Sequence, residues 1–266
     1  GATLQLGAAT QSVGSIAGAG AIDLGGFTLA AGASNASTTF SGVISGSGGL
    51  TKTGTGTLTL TGGNTYSGGT TVSAGTLQGT TTSLQGNIVN NAGLAFDQTG
   101  SGTYTGVISG TGALTKQGGG TLTLTGAATY SGTPTVNGGT LALGATNAFS
   151  AASGLTLNTA SNVNLGGFSA QVGTLAYHTA IIDFGTAATT NYFLFTGGGT
   201  STGTLTVNNY NAGQGDVFAF QTGASGVTGG FVGGVHPAEA GHRRGRRGGG
   251  LLRAFRRRHA GGDRGR

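Results

Sequence analysis

Short runs in which every second residue is apolar recur along the whole chain. In "TLTLT" (Thr57–Thr61), Leu58 and Leu60 fall on one side of an extended strand and Thr57, Thr59 and Thr61 on the other. The same step, a Gly or Ala followed by Thr-Leu, returns as "ATLQL" (Ala2–Leu6), "GTLQG" (Gly75–Gly79), "GTLAL" (Gly139–Leu143), "GTLA" (Gly173–Ala176) and "GTLTV" (Gly203–Val207). "GLAF" (Gly93–Phe96) and "GLTL" (Gly154–Leu157) are shorter forms. Successive occurrences often lie roughly 15–20 residues apart, a spacing expected for the coils of a solenoid.

Gly and Asn gather between the runs, in "GGN" (Gly62–Asn64), "NNAG" (Asn90–Gly93) and "NGG" (Asn137–Gly139). Both residues tolerate the left-handed backbone that tight corners need. An antiparallel sandwich would want hairpin turns such as Asn-Gly or Asp-Gly between alternating runs. A parallel β-helix wants coils of fixed length, small corner residues and the same apolar letter at every level. The Thr-Leu steps and the tyrosines of "TYSG" (Tyr66, Tyr130) fit the second better. The pattern therefore predicts an all-β, right-handed parallel β-helix. A dozen coils stacked about 4.8 Å apart would extend on the order of 50 Å, stabilised coil against coil.

A longer repeat lies over the short one. Ser41–Gly79 aligns without a gap on Thr105–Leu143, and about two-thirds of the aligned positions are identical. The two copies span about 40–79 and 104–143.

Composition agrees with thin, repetitive β-structure. Sixty of 266 residues are glycine, about three times the usual share of roughly 7 %. Only 7 % are charged, yet with two prolines and a steady supply of Leu, Val, Ile and Phe the chain is unlike a disordered one. Without cysteine there is no disulfide framework and no thiolate metal site. No run of roughly 18 apolar residues is present to span a membrane as a helix. The chain starts at Gly1 without a charged or apolar leader, and reads as an internal piece of something longer.

The segment "FSGVISGSGGLTKTGTGTLTLTGGNTYSGGTTVSAGTLQG" (Phe40–Gly79) resembles the autotransporter-associated β-strand repeat of bacterial autotransporter passenger domains. Its signature, G-x-L-T-K-x-G-x-G-T-L-T-L-x-G-x-x-x-Y-x-G, occurs twice. "VGSIAGAGAIDLGG" (Val13–Gly26) and "LQGNIVNNAGLAF" (Leu84–Phe96) are similar to the sequences that usually flank it. The resemblance covers roughly Gly1 to Leu143. It implies a β-helical stalk or adhesin, exported to the bacterial cell surface or released, with surface glycans or host and neighbouring-cell surfaces as partners. A full autotransporter would continue into a translocator barrel, and none follows in this sequence.

Three regions are expected: a β-helical repeat region at 1–173, the last coils and a hydrophobic cap at 174–235, and a disordered Arg/Gly-rich tail at 236–266. The second region carries Tyr192, Phe193, Phe195, Phe218 and Phe220, more aromatic bulk than a regular coil can hide. A terminal cap would bury it, since a solenoid must cover its last apolar layer. A partner-binding patch is the alternative.

Candidate chemistry is sparse. Up to Val235 the acids are Asp23, Asp97, Asp183 and Asp216, and the only lysines are Lys52 and Lys116. A β-helix glycosidase needs two carboxyls roughly 5–10 Å apart, and nothing in the spacing pairs these four. The lysines occupy equivalent repeat positions, which points to a structural or surface role. His178 lacks an i+4 partner and reads as a surface or cap residue. "GSGG" (Gly46–Gly49) precedes no Gly-Lys-Ser/Thr, so it is not a phosphate loop. No catalytic, cofactor-binding or metal-binding residue is expected. The one candidate binding face comprises Thr57, Thr59, Thr61, Thr121, Thr123 and Thr125, for a glycan or ice. The strict strand that starts at Thr57 recurs only at Thr121, about three coils away, and "TLQG" and "LAFD" in between would interrupt an ice-like array.

All ten arginines lie after position 242 and carry the net charge of +6. In the given frame the tail is a polycation suited to nucleic acid, anionic lipid or lipopolysaccharide. It lacks lysine, and Arg, Gly, Ala and Pro all use GC-rich codons, so it reads as an out-of-frame product. A shifted frame would give an Ala/Gly-rich apolar run followed by arginines. That is the layout of a short sorting anchor of the PEP-CTERM kind.

Overall fold

The computed structural model describes residues 3–7, 10–146, 148–186, 190–197, 199–211, 214–220 and 231–233. All described strand pairings are parallel, and no α-helix occurs among these residues. Taken in chain order, the strands fall on three faces visited in rotation, and some coils pass one face without forming a strand there. Face 1 holds Gln11–Val13, Leu29–Ala31, Leu50–Lys52, Thr70–Val72, Ile88–Asn90 and Ile108–Ser109, and later Ala170–Val172, Tyr192–Phe195 and Val217–Phe220. Face 2 is one sheet of eight strands: Thr38–Phe40, Thr57–Leu60, Thr76–Gly79, Gly93–Asp97, Ala113–Gln117, Thr135–Val136, Leu155–Leu157 and Leu175–Tyr177. Face 3 starts with Thr3–Gln5, Ala21–Asp23 and Ile44–Ser45. It resumes with Gly102–Tyr104, Thr121–Leu124, Gly139–Leu143, Ser161–Asn164, Ala180–Asp183, Leu205–Asn208 and Phe231–Gly233. The protein is a parallel β-helix.

Alternation along each strand makes the core. On face 2, Leu58, Leu77, Leu94 and Leu114 stack in register, all pointing inward and buried. A fully buried Leu contributes about 1.5–3 kcal/mol, so each such ladder adds stability coil by coil. The described residues complete about nine coils, fewer than a dozen because many coils sit at or above the upper end of the expected spacing, 20 residues from Leu94 to Leu114 and 25 from Ile182 to Val207. The coil from Leu77 to Leu94 is short, and the coil from Ile182 to Val207 is much longer.

The longest coils are those with the most aromatic side chains. In Tyr192–Phe195 the two phenylalanines point inward and are fully buried, while Tyr192 points out. Phe195 packs edge-on against Phe218, and Phe184 against Tyr210. Phe193 and Phe195 are thus hidden inside lengthened coils, where the added residues make the room. The side chain of Phe220 lies outside the described residues.

The ladder on face 2 crosses position 173 unbroken, since Leu155 pairs with Leu175. The compact unit runs from Gly1 to Gly234. The tail assigned to 236–266, with its frame and its partners, lies outside the described residues.

Candidate functional site

The repeat copies do not sit on the same faces. Leu50 of the first copy stacks on face 1, whereas its counterpart Leu114 stacks on face 2. Leu58 lies on face 2, and its counterpart Leu122 on face 3. Three coils climbed from Leu58 arrive at Leu114, one strand short of the counterpart Leu122. The second copy is therefore displaced by three coils and one further strand.

What the repeat specifies is a corner. Lys52 ends its strand pointing inward, with Ala31 below and Val72 above, and is 1 % exposed. Its ammonium donates to the carbonyls of Thr53 (2.5 Å), Gly54 (2.7 Å) and Ala74 (3.1 Å), the last in the next coil. Lys116 repeats this with Gln117 (2.8 Å), Gly118 (2.7 Å) and Gly138 (3.2 Å), and reaches Gln98 below at 3.5 Å. Burial pushes both amines below the usual lysine range, and Asp97 partly offsets this at Lys116. Glycine follows each lysine by two positions because the corner needs φ of 66° at Gly54 and 77° at Gly118. A side chain at Gly54 would also collide with the carbonyl of Gly32. The letters K-x-G-x-G are thus a corner whose carbonyls are capped from inside by an ammonium.

Elsewhere the copies differ. Tyr66 and Tyr130 are both fully buried. The Tyr66 hydroxyl bonds Thr70 Oγ1 at 2.8 Å, and Thr70 bonds the Gln85 carbonyl at 3.4 Å. The second copy has Pro134 where Thr70 stands, and the Tyr130 hydroxyl has no partner. Asn64 accepts from Ile44 N–H (2.8 Å) and donates to the Ser83 carbonyl (2.7 Å), bridging the coils on either side. Ala128 replaces it in the second copy. Among the described residues, left-handed backbone at non-glycine positions occurs at Asn35, Ala160 and Asn209, not at Asn64, Asn90 or Asn137. Asn64 and Asn90 hold their corners through buried amides, Asn90 by donating to the Ala113 carbonyl (2.9 Å).

The six candidate threonines divide accordingly. Thr57, Thr59 and Thr61 point outward on face 2; Thr121, Thr123 and Thr125 point outward on face 3. They do not form one face, because the repeat length is not a whole number of coils. Gln78 and Ala95 follow Thr59 up its column. The coil below each set adds hydroxyls that the alternation pattern alone did not single out. Thr39 pairs with Thr59, flanked by Ser37 and Ser41, and Thr103 pairs with Thr123, flanked by Ser101 and Thr105. Each copy thus presents a patch of six hydroxyl side chains, two coils deep. The signal for them is the one-coil spacing between "STTFS" and "TLTLT".

The acids hold turns. Asp23 accepts from Gly25 N–H (2.9 Å), and Asp183 from Gly185 N–H (2.9 Å) and Asn209 (2.7 Å). Asp216 accepts from the N–H groups of Asn191 (3.0 Å) and Asn211 (2.8 Å), and Asp97 from Gln78 (3.2 Å). The turn at Asp23–Phe27 recurs at Asn164–Phe168, where Asn164 accepts from Gly166 N–H at 2.7 Å. His178 is exposed, with Nδ1 2.6 Å from Thr202 Oγ1. Face 3 also carries a groove of about 240 Å³, where the bend at 80–87 meets the strand Gly102–Tyr104.

Residues 50–78 and 114–143 match the family model described as the passenger-associated-transport-repeat. The chain carries two of these repeats. Each match runs from the strand that carries the capping lysine, through the corner and the buried tyrosine, to the following strand pair. No curated protein and no solved structure matches the chain. The repeat implies a surface or secreted location, and on a β-helix it suggests a structural domain in place of an enzyme.

Proposed function

We infer that this β-helix is a stalk segment of a secreted passenger, displayed on or released from the outer surface of a bacterial cell. The observation that carries the reading is the match of two passenger-associated-transport-repeats to a parallel β-helix, each centred on a lysine-capped corner. In support, both lysines and all four described aspartates are engaged in hydrogen bonds that hold corners, turns or neighbouring coils. A shaft needs such resources for rigidity, and an adhesive role would fall to its outward side chains.

Antibody labelling of cells producing the full-length protein tests the location. Labelling of intact cells that disappears after external protease is expected. Labelling only after permeabilisation would overturn the reading.

A further inference from the structure

We propose that the groove on face 3, with the hydroxyl patch beside it, is a binding site for a small uncharged saccharide unit. Face 3 has no strand between Ile44–Ser45 and Gly102–Tyr104, so its second sheet begins at an open step. The bend at 80–87 leaves a recess there, lined by Thr81, Gln85, Asn87, Thr103, Tyr104 and Thr105. Tyr104 is buried and its hydroxyl donates to the Gly86 carbonyl, so it forms the floor and not a contact. Asn87 Oδ1 accepts from Val107 N–H and Gln85 Nε2 donates to the Thr82 carbonyl. These bonds fix both amides while leaving Asn87 Nδ2 and Gln85 Oε1 for a ligand. Thr103 and Thr105 add outward hydroxyls, continued by Thr123 in the next coil, while the Thr125 hydroxyl donates to the Tyr104 carbonyl at 3.3 Å.

The chemistry selects the ligand. A sugar hydroxyl both donates and accepts, and matches a lining of fixed amides and freely rotating hydroxyls. A peptide side chain would seek an apolar pocket or a charge, and a phosphate or sulfate a cation. The lining carries no charge, and its one aliphatic side chain, Leu84, is buried in the core beneath the recess. At about 240 Å³ the recess is smaller than the roughly 300–1,000 Å³ of drug-sized sites, which suits one sugar unit with its chain continuing over the hydroxyl patch. The proposal is independent of the stalk reading.

The test uses the purified chain on an array of neutral, sialylated and sulfated oligosaccharides. Retention on neutral members is expected, with at least a tenfold loss in the Thr103→Val/Thr105→Val variant and none in Thr156→Val on face 2. Amide resonances of Gln85, Thr103 and Thr105 in the unmodified protein should shift with a retained oligosaccharide. Absence of neutral binding, preference for acidic glycans, binding unchanged in the double variant, or unshifted resonances would each overturn the proposal.

Discussion

Lys52 and Lys116 are the same residue of the repeat, yet they cap different corners of the coil: Lys52 between faces 1 and 2, Lys116 between faces 2 and 3. Each ammonium ties the corner of its own coil to the corner above. Replacing either lysine by methionine keeps the apolar stem and strands the carbonyls of two coils. Loss of buried hydrogen-bond partners costs about 1–3 kcal/mol, so Lys52→Met and Lys116→Met should each lower the denaturant midpoint accordingly. Lys52→Arg should not rescue, because a planar guanidinium cannot converge on three carbonyls around one nitrogen. Guanidinium melts followed by circular dichroism decide it, and an unchanged midpoint in both methionine variants would refute the capping role.

The same burial sets an alkaline stability profile. Burial pushes the phenols of Tyr66, Tyr104 and Tyr130 above their ordinary value of 10.0. Their contribution is complete below about pH 10 and fades above it, where the unfolded chain loses its protons first. The two lysines act in the opposite sense, since the unfolded chain binds their protons first. Their contribution is present above about 10.5 and is lost as pH falls toward the lowered native values. Thermal midpoints should rise toward pH 10 and drop beyond it, with phenolate absorbance from these tyrosines tracking the unfolding step. A steady decline from neutral pH upward would contradict this balance.

The fold class could be read from leucine spacing because inward residues must stack at every level, and that requirement prints itself on the sequence. The phase of the copies could not. Whether Thr121 shares a face with Thr57 depends on the summed length of three coils, and corners add or drop residues without disturbing the local pattern. Lys52 and Lys116 could be assigned a structural role from their equivalence, but not a place in the interior, since their partners are backbone carbonyls and carbonyls leave no letter. The groove at 80–87 was invisible for a related reason: it comes from a strand that face 3 omits.

Tyr66 and Tyr130 offer a paired test of the interior. The Tyr66 hydroxyl has Thr70 as its partner, whereas Pro134 leaves that of Tyr130 buried and unpaired. Removing a satisfied hydroxyl costs about 0.5–1.5 kcal/mol, while removing an unsatisfied one relieves a desolvation penalty. Tyr66→Phe should destabilise by about 1 kcal/mol. Tyr130→Phe should be neutral or stabilising. Equal losses in the two variants would mean that Tyr130 has a partner after all.

Because the repeat specifies a corner and not a face, one whole repeat length can be removed. Excision of 50–113 joins Gly49 to Leu114 and sets Leu114, Lys116 and Leu122 in the places of Leu50, Lys52 and Leu58. Leu29 and Ala31 would then receive Leu114 and Lys116 as their next level on face 1, and every later coil would turn by one face. Neighbour contacts at the junction are of the same kind as before, so the shortened protein should melt cooperatively, with stability reduced in proportion to the coils lost. Excision of 54–113 begins inside the corner and sets Leu114 at the position of Gly54, where any side chain meets the carbonyl of Gly32. That variant should lose cooperative melting. Circular dichroism of the two shortened proteins decides the matter: failure of the 50–113 excision, or equal success of both, would show that the corner is not a unit that can be moved from face to face.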